Sequence, residues 1–402
     1  MKRNLLSSAF LIPALLAGGC GRSQMDGLAR VGAAGNTGAD QPGSGAGGGG
    51  GTRPATGGQG GWGATGGASG VGGIAATGGQ GGVGPDAGTG GVGGGIPYAL
   101  QGDMVKLASG QAAPLWIAID ANNVYWVNSE INLAARGAIM KVPIAGGSPE
   151  PLVTRGARGG IAVDSTNLYW SGYGPNDDAT ASLWKTPLDR GEATALATGF
   201  VNDPIAVGPS GVYGTGTVNG GVTIVRAPLA GGATTPLVPA SSLQQSFATY
   251  GIAVDATSVY WVTFSEPGTV MKAPVGGGSP TTLGSAPGSG FAIAIDATSV
   301  YWITSRAVTK VALTGGTPVT LASITTFGQG IQGIAVDDAN VYWTDASNPG
   351  SVSKVPIQGG PTTLLATDLQ HPAGIAVDAT SVYWVNAGDG GATGYVMKLT
   401  PK

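Results

Sequence analysis

From Pro114 to the C-terminus, hydrophobic and polar positions follow one motif seven times over. Each copy opens on a short apolar run that stops at a turn: Ile117-Ala118-Ile119-Asp120, Ile161-Ala162-Val163-Asp164, Ile205-Ala206-Val207-Gly208, Ile252-Ala253-Val254-Asp255, Ile293-Ala294-Ile295-Asp296, Ile334-Ala335-Val336-Asp337 and Ile375-Ala376-Val377-Asp378. The fourth positions are 44, 44, 47, 41, 41 and 41 residues apart, the period of a four-stranded propeller blade. Four β segments are legible within a copy, most plainly in the sixth: Ile334 to Asp337, Val341 to Thr344, Val352 to Val355 and, after the turn Gln358-Gly359-Gly360, Thr362 to Leu365. β-branched and aromatic residues suit a pleated, half-buried surface, and the glycines supply the positive φ of a tight hairpin.

The pattern predicts an all-β fold, a seven-bladed β-propeller of four-stranded blades. Every first strand has alanine at its centre, as packing near a crowded axis requires. The last copy ends after its third strand, Tyr395 to Leu399, whereas Val105-Lys106-Leu107-Ala108, ahead of the first copy, matches the fourth strand Val319-Thr320-Leu321-Ala322. The N-terminal strand is therefore expected to complete the last blade and remove an open edge. The third copy carries Gly208 for the aspartate and Tyr213-Gly214 for Tyr-Trp, and the weakest blade is expected there.

The second strands carry Tyr125-Trp126-Val127-Asn128, Tyr169-Trp170-Ser171-Gly172, Tyr260-Trp261-Val262-Thr263, Tyr301-Trp302-Ile303-Thr304, Tyr342-Trp343-Thr344-Asp345 and Tyr383-Trp384-Val385-Asn386. This series resembles the YWTD repeat of the low-density-lipoprotein-receptor propellers and, more loosely, NHL and TolB-like propellers. Those YWTD domains have six blades, so the resemblance implies the fold and not the ligand; as to function, it implies a binding module. Neighbouring Tyr and Trp point to opposite sides of a strand, so the pair is expected to fill two inter-blade layers. A cation recurs on the third strands, at Lys141, Lys185, Arg226, Lys272, Lys310, Lys354 and Lys398. It is expected to serve the blade, along an aromatic face or paired with a repeat aspartate.

The N-terminus changes the picture. Lys2 and Arg3 precede an apolar run from Leu5 to Leu16, the form of an export signal too short to span a bilayer. Leu16-Ala17-Gly18-Gly19-Cys20 resembles a bacterial lipobox with alanine in place of leucine, and predicts lipidation at Cys20, the only cysteine, so that no intrachain disulfide is possible. Gly21 in place of aspartate favours the outer membrane. From about Gly32 to Gly95 glycine dominates and large apolar side chains are almost absent, which predicts a disordered tether with a reach on the order of 50 Å. The expected organisation is a lipoprotein signal peptide over 1–19, a Gly-rich tether over 20–98 and the propeller over 99–402. The reading is of a lipid-anchored cell-envelope protein, monomeric, touching the membrane through its anchor only.

Net charge is -3 and 10% of residues are charged, which gives no basic field for nucleic acid. No catalytic constellation is legible, and neither a cofactor nor a metal site is expected: His371 is the only histidine, Asp177-Asp178 and Asp337-Asp338 are adjacent acids in turns, and glycine abundance makes phosphate-loop matches meaningless. Variable loops on a rigid scaffold are where binding is built. The loops that strand order places on one face carry Glu130, Arg155, Arg158, Tyr173, Phe200 and Gln329, and the candidate ligand or partner residues Phe247, Tyr250, Phe264, Glu266, Arg306, Phe327 and His371. The sequence reads as a non-enzymatic module for a protein or glycan partner. The competing class is a lyase- or lactonase-type enzyme at the axial mouth.

Overall fold

A computed structural model describes residues 10–11, 102–129, 137–174, 182–218, 220–239, 249–324, 331–347 and 349–402. The seven repeats form seven antiparallel blades around an axis. Blade 1 consists of Pro114–Ile119, Asn123–Asn128, Ala138–Pro143 and Glu150–Val153, from the inside outwards. The inner strands of the following blades are Ala157–Val163, Phe200–Gly208, Thr249–Val254, Gly290–Ile295, Ile331–Val336 and Pro372–Val377, and successive inner strands pack side by side. Phe10–Leu11 pairs with Ile334 and Gly333 at the inner edge of blade 6.

Closure follows the sequence. Asp103–Gln111 pairs antiparallel with Gly394–Thr400 as the outer strand of blade 7, with Val105 opposite Lys398. The first and last strands of the propeller thus share one sheet, and blade 7 has its four strands.

The repeat residues build the core by register. In blade 1, Tyr125 lies between Ala118 and Lys141 across the sheet, and Trp126 between Ile117 and Met140. All seven Tyr of this row are buried, as are the Trp. The small alanine beside each Tyr leaves room for the ring, and Trp on the other face packs toward the preceding blade. Aromatic burial of this size, about 150–250 Å² per ring, is the main driving term of such a core.

An aspartate–tyrosine bracket shapes the turn after the inner strand in every blade but the third. Asp120 Oδ1 accepts the backbone N–H of Asn122 and of Asn123, each at 2.7 Å, and Oδ2 accepts the Tyr125 hydroxyl at 2.7 Å. The same tyrosine-to-aspartate bond recurs at Asp164–Tyr169, Asp255–Tyr260, Asp296–Tyr301, Asp337–Tyr342 and Asp378–Tyr383, at 2.7 to 2.9 Å. The third-strand lysines do not pair with these aspartates. Lys141, Lys185, Lys272, Lys310 and Lys398 donate instead to the backbone carbonyl of Leu188, Leu229, Leu313, Ile357 and Ile144, each in the next blade round the ring. Lys272, Lys310 and Lys398 also lie 5.6 to 6.0 Å from the ring centroid of their own blade's Tyr, so the aromatic-face expectation holds for these three.

Blade 3 departs as its sequence does. Ser210 Oγ meets the Tyr213 hydroxyl at 2.6 Å where an aspartate stands elsewhere, and the outer strand is only Thr235–Pro236. Gly214 leaves the space of the missing indole, and Phe200 fills it: a Cβ on Gly214 would meet Phe200 ring carbons at 2.9 and 3.0 Å. Phe200 is therefore core, 1% exposed, and not the surface residue the sequence suggested. Gly214→Trp, although it restores the repeat pattern, is expected to cost about 3 kcal/mol by overpacking in urea unfolding. Adding Phe200→Ala should recover most of the loss. An unaffected single variant would show that Phe200 does not hold the indole's place.

Candidate functional site

Strand order separates two faces. Outer-to-inner and second-to-third connections emerge on one face; the aspartate turns and the Gly-Gly turns lie on the other. At the latter turns Gly146 and Gly147 have φ of +94° and +147°, left-handed conformations that favour glycine. The repeat polar groups on that face are consumed in structural bonds, so chemistry peculiar to individual blades concentrates on the first face, at the mouth of the ring.

Blades 4 and 5 meet there in an aromatic and ionic patch. Phe264, just past the second strand of blade 4 (Ser258–Thr263), is 40% exposed and sets its ring edge-on to Phe291 of the blade 5 inner strand, centroids 5.5 Å apart at 80°. Phe291 is the buried floor at 8% exposure. Beside them the Glu266 carboxylate lies 3.7 Å from the Arg306 guanidinium, both side chains well exposed. Such a pair contributes little to stability, which leaves both charges accessible to a partner.

Blades 6 and 7 form a second, polar cluster. Gln370 Nε2 donates to Asp389 Oδ2 at 2.7 Å, and His371 Nδ1 lies 3.8 Å from Asp389 Oδ1, beyond hydrogen-bond reach. His371 has φ +49°, an uncommon conformation for a residue with a side chain. Its carbonyl accepts from Ala387 N at 3.0 Å and that of Gln370 from Gly388 N at 3.2 Å, so the connection into blade 7 is bonded to that blade's second-to-third loop. In blade 2, Arg158 Nη1 donates to the Tyr173 hydroxyl at 3.3 Å and the guanidinium sits 5.7 Å from that ring's centroid.

Of the candidates read from sequence, Phe264, Glu266 and Arg306 come together, and His371 stands apart on blade 7. Tyr250 belongs to the inner strand of blade 4, not to a loop. Phe247 and Phe327, like Glu130, Gln329 and Cys20, lie outside the described residues. Sequence reading missed Phe291, Gln370 and Asp389. Asp389 had a signal, as the only charged residue between Asn386 and Tyr395. Among the described residues no three His, Cys, Asp or Glu side chains converge as metal ligands.

Residues 339–379 match the family model of the low-density lipoprotein receptor repeat class B. The stretch contains the literal Tyr342-Trp343-Thr344-Asp345 and runs from the second strand of blade 6 into the inner strand of blade 7, so the sequence repeat straddles two blades. Within it Thr344 ties the two blades together, its Oγ1 donating to the Ala373 carbonyl of blade 7 at 2.6 Å. No curated protein matches the sequence. An oligogalacturonate lyase solved in complex with manganese superposes with a TM-score of 0.55 at 10% identity, covering 76% of this chain and 94% of that one. An oligogalacturonate lyase from Vibrio parahaemolyticus gives 0.53 at 9%, over 75% and 94%. TolB from Acinetobacter baumannii gives 0.40 at 13%, over 64% and 68%. At 9 and 10% identity the likeness to the two lyases shows the fold and not the chemistry. The chain is a seven-bladed β-propeller of YWTD-like repeats, one of which matches the low-density lipoprotein receptor class B repeat.

Proposed function

We propose that this chain is a lipid-anchored protein of the cell envelope, held at the outer membrane through Cys20, that presents its propeller as a non-enzymatic binding module for a protein or glycan partner. The observation that carries the reading is the division of chemistry between the faces. Repeat aspartates, tyrosines and lysines bind the blades together, whereas the exposed aromatic and charged side chains Phe264, Glu266 and Arg306 gather on the loop face over the blade 4–blade 5 junction. An exposed aromatic ring on a buried aromatic floor, flanked by both signs of charge, has the composition of a binding hot spot.

Phe264→Ala with Arg306→Ala is expected to weaken capture of the partner at least about tenfold, as loss of hot-spot residues does, with thermal unfolding unchanged. An unbiased pull-down from envelope extract identifies the partner, and the double variant then tests the face. Cys20→Ser should move the protein from the membrane to the soluble fraction or leave it unprocessed. Wild-type protein that is soluble and unlipidated removes the anchor from the reading. Turnover of a small molecule that is abolished by His371→Ala, or a stoichiometric metal at the mouth, replaces the binding module with an axial-mouth enzyme.

A further inference from the structure

Blades 1 and 7 carry the same pair at the mouth end of the second strand, Trp126 with Asn128 and Trp384 with Asn386, but treat it differently. In blade 1 the pair grips a primary carboxamide. Gln111 Oε1 accepts from Trp126 Nε1 at 3.1 Å and from Asn128 Nδ2 at 3.0 Å, Trp126 Nε1 also meets Asn128 Oδ1 at 3.1 Å, and Gln111 Nε2 donates to the Ser109 carbonyl at 2.8 Å. Gln111 ends the outer strand of the preceding blade, where it pairs with Gly394.

In blade 7 the corresponding position is Leu369, which ends the outer strand of blade 6 and pairs in the same way with Gly350. The correspondence is fixed three residues on, where Pro114 pairs with Asn128 and Pro372 with Asn386. A leucine offers no oxygen. Trp384 and Asn386 are each 0% exposed, and Trp384 Nε1, Asn386 Nδ2 and Asn386 Oδ1 have no hydrogen-bond partner. The indole N–H of Trp170, Trp261 and Trp302 is unpaired as well, so what sets blade 7 apart is the asparagine, neither amide atom of which has a partner. Three unpaired polar atoms in one buried spot are costly. The Nδ1 of His371, the residue before Pro372, is likewise buried without a hydrogen bond, while the side chain as a whole is 32% exposed.

We infer that Trp384 and Asn386 form a second binding site at the blade 6–blade 7 junction, for a small neutral ligand that presents a carboxamide or N-acyl group. The ligand oxygen accepts from Trp384 Nε1 and Asn386 Nδ2, as the Gln111 oxygen does in blade 1, and its N–H donates to Asn386 Oδ1. The chain therefore holds, in Gln111, a copy of the group the site is shaped to take. The site is separate from the Phe264 patch and stands or falls independently of it.

The test uses the full chain with ¹⁵N-labelled indoles, the Trp384 signal being assigned by Trp384→Phe, and acetamide as the probe. Acetamide is expected to shift the Trp384 N–H saturably in the millimolar range, and sodium acetate, which lacks the N–H donor and carries a charge, to leave it in place. Leu369→Gln supplies the missing carboxamide from within and should weaken the acetamide response at least about tenfold, because the intramolecular group is always at hand. Asn386→Leu should abolish the response, and decides the matter if Leu369→Gln does not fold. The proposal is overturned by the absence of an acetamide shift, by an undiminished shift in Leu369→Gln or Asn386→Leu, or by a water at Trp384 Nε1 that acetamide fails to displace.

Discussion

Replacing residues 103–111 by a glycine–serine segment of equal length is expected to lower the unfolding temperature by about 10 °C or more and to promote association. The segment is the outer strand of blade 7 and also touches blade 1. Leu107 and Ala108 are buried in the core shared by those blades, and a buried leucine contributes about 2 kcal/mol. Gln111 is 7% exposed and accepts from both Trp126 and Asn128, so its loss orphans the Asn128 amide N–H at about 1–3 kcal/mol and leaves Trp126 Nε1 with Asn128 Oδ1 alone. Together these reach several kcal/mol, a large part of the 5–15 kcal/mol typical of a folded domain. The exposed edge Gly394–Thr400 then offers unpaired N–H and C=O groups to other chains. Gln111→Leu alone separates the terms, because it keeps the strand and removes only the carboxamide, and should cost about 2 kcal/mol. Unfolding curves that coincide for wild type and the replaced segment would sink the closure.

The architecture was legible because a propeller is written in one-dimensional repetition. The orphan strand at Val105 to Ala108 betrayed its partner by matching Val319 to Ala322, and the pairing of Val105 with Lys398 follows from that match. Contacts inside a repeat were less legible. An aspartate and a tyrosine five residues apart recur in six copies, yet only the turn geometry shows that the carboxylate caps two backbone N–H groups and then receives the hydroxyl. The lysines were legible in part: Lys272, Lys310 and Lys398 lie along the tyrosine ring as expected, but their acceptors are carbonyls one blade away, set by ring geometry rather than by residue type. The mouth was least legible, because what matters there differs from copy to copy. Phe200 looks like any loop aromatic until Gly214 is seen to vacate its place, and Asn386 looks like Asn128 until Leu369 is seen opposite it in place of Gln111.

The aspartate brackets make acid the second strong perturbant. Burial raises the pKa of Asp164, Asp255, Asp296 and Asp378, but the backbone N–H groups, the tyrosine hydroxyl and the neighbouring threonine hydroxyl bonded to each overcome it and hold the carboxyl below its ordinary range. At Asp337 burial is overcome first by Lys402, 2.5 Å away, and then by the backbone N–H groups of Ala339 and Asn340. The tyrosines move the other way: burial, and then the bond to the carboxylate, push the phenols up, so they stay protonated donors. A carboxyl whose folded pKa lies below its unfolded value contributes stability that is complete above the unfolded pKa, about 3.9 for aspartate, and is lost as pH falls through the folded pKa. Five such groups on one domain predict a plateau of stability at neutral pH and a steep decline below about pH 4. Asp296→Ala strands the Tyr301 hydroxyl and the N–H groups of Thr298 and Ser299, and is expected to cost about 2–3 kcal/mol at pH 7. Tyr301→Phe removes the donor together with its need for a partner and should cost only about 1 kcal/mol. Asp296→Asn keeps the shape but not the charge, so part of the acid-dependent loss should disappear in that variant. Urea unfolding at a series of pH values from neutral to strongly acid reads all three, and identical pH profiles for wild type and Asp296→Asn would show that the brackets do not set the acid limit of the fold.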